Sequence, residues 1–181
     1  MQNEMPDVAA YVVSQKGIYR TEDLIEHAEK QLTLTAQSIL SAETIVDIQQ
    51  AGKCLAYELA TACTFHLWRA IETTMGQYFV FLGGRSFEDA KVQRNWAAKI
   101  KVLIDASADQ KITAWLDHIR DKYRNPQTHP DEVVEIDEAQ RLFSVALSSI
   151  EQMLLAIKAA PSNQLALVGG GLGKTTASSA P

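Results

Sequence analysis

The chain of 181 residues is 46% apolar and 22% charged, and 17 lysines and arginines against 22 acids leave a net charge of −5. These figures exclude wholesale disorder, fit one ordinary globular domain, and exclude a uniformly basic coat for nucleic acid. The imbalance is uneven, because residues 85–124 hold nine basic and six acidic side chains while the rest hold eight and sixteen. A local phosphate-binding surface is therefore compatible with the composition. Thr73 to Gly84 lacks charge but covers only twelve positions, short of the ~18–20 a membrane span requires. The opening MQNEMPDVAAYVV lacks the basic-then-apolar order of a secretory signal, and no membrane contact is expected.

In chain order, residues 1–20 carry Pro6 and Gly17 without a sustained period and read as an irregular lead-in. Thr21 as a cap, with Glu22 and Asp23 in the first turn, predicts a helix to about Leu34. Ser41 opens a second helix, which Gly52 interrupts at most locally before it runs on to a stop at Gly83-Gly84. Cys54 and Cys63 then fall on one helix, on opposite faces and roughly 13 Å apart, too far for a disulfide. Two free thiols fit an intracellular, cytoplasmic chain.

A third helix is expected over Ala90 to Ile104, from the apolar recurrence Val92, Trp96, Ile100, Ile104. Asp109 caps a fourth, which Pro126 ends near Arg124. Asp137 and Gln140 resemble a capping box opening a long last helix from Ile136 to about Ala159. About five helices with no strand make an all-α bundle over residues 21–160, with no internal repeat.

Residues 161–181 read as a flexible tail of small residues. Its GLGKTT is similar to a phosphate-binding loop, but that pattern needs a glycine where Val168 stands and a helix behind Lys174, which only seven residues follow. The match is set aside. His27, His66, His118 and His129 show no paired zinc spacing, so no metal or cofactor is assigned.

The informative segment is Arg124-Asn125-Pro126-Gln127-Thr128-His129-Pro130. It puts an always-charged guanidinium at a helix end, then a short amide, then an imidazole five residues on. Arginine holds phosphate through two parallel hydrogen bonds, and histidine exchanges a proton near neutral pH. Together they suit phosphodiester cleavage without a metal, the histidine moving a proton and the arginine stabilising growing negative charge. The structural alternative is a helix-terminating loop in which Asn125 and His129 merely cap backbone groups.

This segment resembles the R-x4-6-H motif of the HEPN superfamily, and Phe65-His66 with Arg69-Ala70 and Glu72 is similar to a pattern on the long core helix of its bacterial members. The similarity covers about Thr21 to Ala160. It implies a HEPN-like antiparallel bundle that forms a homodimer, with two motifs meeting in a composite cleft. It also implies a metal-independent endoribonuclease, with attack by the neighbouring ribose 2′-OH leaving a cyclic phosphate and a 5′-hydroxyl. Arg124 would then bind or neutralise the scissile phosphate, His129 would be the general acid or base, and Asn125 would orient the phosphate or the histidine. Toxins with an antitoxin partner and phage-defence effectors are the contexts it implies. The alternative is a non-catalytic helical module that binds a nucleotide, RNA or a protein, as many members have lost activity.

Arg69 and Glu72, three apart on the second helix, are expected either to orient Arg124 or His129 or to form an ordinary ion pair with each other. Trp68, Trp96 and Trp115 are assigned to core packing, with base stacking as the alternative. The acids from Asp131 to Glu138 either solvate the chain and favour the start of the last helix, or limit or repel the approach of an RNA backbone.

Overall fold

The computed structural model describes residues 12–88, 92, 95–126, 131 and 133–159. Among them the fold is all-α, with one isolated bridge between Lys16 and Tyr19 and no β-strand. The helices are α1 (Thr21–Glu26), α2 (Leu34–Gln37), α3 (Ala42–Ala56), α4 (Ala60–Phe81), α5 (Trp96–Asp105), α6 (Gln110–Ile119) and α7 (Ile136–Ala159). A 3-10 turn (Ala28–Gln31) joins α1 to α2, and a π-helical turn (Arg120–Arg124) extends α6. Seven α-helices thus stand among the described residues where about five were expected.

Two long expected helices break. The first ends at His27, whose backbone (φ −148°, ψ 40°) leaves the helix, and the Thr33 hydroxyl caps the restart at Ala36. Leu24, Ala28, Leu32 and Ala36 are all buried, so the broken turns lay these side chains on the bundle as one apolar edge. The second breaks at residues 57–59 rather than at Gly52. Glu58 adopts φ 62°, and the Leu59 N–H bonds the Cys54 carbonyl at 2.8 Å. Lys16, itself almost wholly buried, pairs with Glu58 at 2.8 Å. That pair holds a residue other than glycine in the left-handed region. Cys54 and Cys63 consequently lie on two helices, and burial pushes both thiols up. Both are free.

Gly52 sits inside α3 because α1 presses on it: an added Cβ would lie 2.4 Å from the Leu24 carbonyl oxygen and 2.5 Å from the Ala28 Cβ. Gly83, at φ 93°, lets α4 stop, with the Gly84 N–H returning to the Phe79 carbonyl. α5 starts at Trp96, later than Ala90, because the Asn95 side chain caps the Ala98 N–H at 3.2 Å. Ala90, Lys91, Gln93 and Arg94 lie outside the described residues. α7 begins at Ile136, which puts Asp137 inside its first turn instead of at the cap.

α4 is the centre, with α3 and α7 packed most extensively along it, while α5 and α6 close one end. Ile48, Leu67, Ile71, Met75 and Phe143 fill the core completely. The lead-in is not wholly peripheral: Tyr19 is buried edge-on against Phe143, with its hydroxyl on Ser144. α7 is long and apolar enough to cross a membrane by length and composition, and 44% of its most apolar stretch is buried inside the fold. Residues 160–181 lie outside the described residues.

Two outcomes follow from this packing. Gly52→Ala should destabilise the fold by about 1–3 kcal/mol, since backbone must shift, read as a lower urea midpoint at unchanged slope. The Lys16 hydrogen bond and charge hold the Glu58 carboxyl below its usual value. A lowered carboxyl stabilises the fold above its unfolded pKa of ~4.3 and loses that contribution as pH falls through the folded value. The stability gap between wild type and Glu58→Gln should therefore be constant above about pH 5 and shrink below about pH 4, measured by urea unfolding at each pH.

Candidate phosphate-binding site

At the end of α6 the backbone widens, and the Asn125 N–H bonds the Arg120 carbonyl at 2.9 Å. Asn125 keeps helical dihedrals (φ −66°, ψ −49°) although a proline follows. Arg120, Arg124 and Asn125 line one pocket of about 460 Å³ together with Asn95, Trp96 and Ala97 from the start of α5. The Arg124 guanidinium lies 5.8 Å from the centre of the Trp96 ring, and one of its N–H groups reaches the Asn125 side-chain oxygen at 3.4 Å.

The two arginines of this pocket differ in charge compensation. Arg120 donates to Asp117 at 2.7 Å and to Asp121 at 2.7 Å, so two carboxylates cover it. Arg124 has no carboxylate within ion-pairing distance among the described residues. It is thus the cation of the pocket left for an incoming anion, and the positive end of α5 adds a field of the same sign. The aromatic face behind it leaves the guanidinium edge for oxygen atoms.

Arg124 and Asn125 come together as the sequence suggests. His129, with Gln127, Thr128, Pro130 and Glu132, lies outside the described residues. Arg69 and Glu72 do not pair with each other. Arg69 turns to α3, where its Nε donates to Asp47 at 3.1 Å, and His66 Nδ1 meets the same buried carboxylate at 2.9 Å. Glu72 turns to α5, accepting the Trp96 indole N–H at 2.9 Å and pairing with the buried Lys99. Both residues line a second opening of about 420 Å³ with Thr73, Gly76 and Phe87. Trp96 is 2% exposed, which excludes it as a stacking platform for a base.

Sequence reasoning missed Asp47, Lys99 and the double role of Trp96. The available signal was the Phe65-His66 and Arg69 to Glu72 pattern, whose polar members each need a partner when half buried. No group of three histidine, cysteine, aspartate or glutamate side chains suited to a metal occurs among the described residues. Comparison with protein-family models, with curated proteins and with solved structures finds no match.

The charge difference predicts unequal effects. Arg124→Ala should weaken pyrophosphate binding by about tenfold or more, the worth of a charge-assisted contact. Arg120→Ala should change it less than about threefold, because its charge is already neutralised. Calorimetric titration at two salt concentrations checks both.

Proposed function

We propose that this chain is a metal-independent endoribonuclease of HEPN type, its all-α fold a HEPN-like bundle that works as a homodimer. The observation that carries the reading is Arg124: an arginine with no carboxylate partner among the described residues, held over an indole, at the edge of a pocket of about 460 Å³. It begins the Arg-Asn-Pro-x-x-His-Pro segment. A guanidinium so held suits a phosphodiester, whose charge rises as the phosphorus becomes five-coordinate.

In this mechanism the ribose 2′-oxygen forms a bond to the adjacent phosphorus while the bond from phosphorus to the 5′-oxygen breaks. His129 of one protomer takes the proton from the 2′-hydroxyl, and its copy across the two-fold seam gives one to the departing 5′-oxygen. Arg124 neutralises the phosphate oxygens, and Asn125 orients Arg124 through the contact already described. The products are a cyclic phosphate and a 5′-hydroxyl. A cytoplasmic toxin or phage-defence effector, restrained by an antitoxin or regulatory protein, is the setting this chemistry suits.

The purified protein should cleave single-stranded RNA in EDTA and sediment as a dimer. His129→Ala should lower the rate by about 10²–10⁴-fold with sedimentation and melting unchanged. Equal activity of wild type and His129→Ala would rule out the enzyme. RNA binding without turnover would favour the non-catalytic module instead.

A further inference from the structure

A lysine ammonium sits where a core usually excludes charge: the Lys99 side chain is 4% exposed, against 33% for its partner Glu72. Phe87 covers the ammonium at 5.2 Å from the ring centre. The other oxygen of the Glu72 carboxylate accepts the Trp96 indole N–H at 2.9 Å, and Arg124 lies on that indole. We infer that Lys99, Glu72 and Trp96 are positioning residues for Arg124, the buried ion pair fixing the indole and the indole fixing the guanidinium. The inference rests on the reading of Arg124 as the phosphate-binding group and adds the device that holds it.

Each step has a physical cause. The Lys99 ammonium makes no other ion pair or hydrogen bond among the described residues, so Glu72 is bound in place by the cost of an unpaired buried charge. The indole N–H is buried and needs an acceptor, and Glu72 is the one it has. Trp68 meets the ring edge-on at 6.3 Å, which closes another side. A guanidinium stacked on this fixed face has fewer rotamers to lose when phosphate arrives. Apart from the N–H that reaches Asn125, its donors make no other hydrogen bond among the described residues and can meet two oxygens.

The test uses the full chain and a 2′-O-methyl hexauridylate, which lacks the attacking hydroxyl and stays intact. Trp96→Leu should weaken its binding nearly as much as Arg124→Ala, about tenfold or more, whereas Trp96→Phe, which keeps a ring but loses the N–H that Glu72 holds, should fall between wild type and Trp96→Leu. The double variant Trp96→Leu with Arg124→Ala should bind no more weakly than Arg124→Ala alone, since both remove one unit. Additive losses overturn the inference.

A second measurement is independent of RNA: the Arg124 Nε–H nitrogen-15 resonance should be displaced by the indole ring current. Glu72→Gln, a mild change, should move it toward the position it takes in Trp96→Leu. A resonance unmoved in Glu72→Gln overturns the relay. If wild type does not bind the probe, the nuclease reading fails, and the resonance alone decides the positioning role.

Discussion

Glu72 and Lys99 face each other across the junction of α4 and α5, and the pocket depends on that pair. A buried ion pair is a poor source of stability, because desolvating both groups offsets most of their attraction, and apolar residues of similar size often do as well. What it supplies is direction. α5 packs on α4 far less extensively than α3 and α7 do, so apolar contact alone would define its orientation weakly. A carboxylate that must meet an ammonium and an indole N–H together admits one register of α5. That register sets Trp96 under Arg124.

The same logic governs the rest of the charge. Asp47 takes both His66 and Arg69, Asp117 and Asp121 take Arg120, and Glu58 takes Lys16. Within the pocket the acids go to Arg120, and Arg124 has none among the described residues. A net charge of −5 is therefore compatible with one attractive spot for phosphate. Association with RNA would then be short-ranged and specific to the pocket, without the long-range steering of a basic surface.

Features set by local chemistry were legible in the sequence. The Ser41 and Asp109 caps and the glycine stop after α4 stand where they were expected, because a side-chain oxygen or a missing Cβ acts within a few residues; both ends of α7 also stand where its apolar period put them. The breaks at His27 and Glu58 were not legible. Glu58 in the left-handed region is secured by Lys16, 42 residues away, and no periodicity reports such a contact. Arg124 and Asn125 were singled out through their motif, and the structure places both on one pocket. The partners of Glu72 lie 24 and 27 residues downstream, and Trp96 was assigned to the core with no hint that its indole also serves a cation. Both are tertiary facts.

The π-helical turn explains why these side chains share a pocket. In a continuous α-helix each residue advances about 100°, which would put Asn125 about 140° around the axis from Arg120. Closing the Asn125 N–H onto the Arg120 carbonyl stacks residue 125 above residue 120, and Arg124 falls beside them. Arg120, Arg124 and Asn125 then line the same opening. The wider turn also meets the proline at the point where the helix must end, since Pro126 offers no N–H to extend it. A local widening of the backbone, common where helices carry function, thus brings Arg120, Arg124 and Asn125 to one edge of the pocket. Asp117 and Asp121 tie Arg120 back along the helix, so the guanidinium that projects with its charge uncovered is that of Arg124.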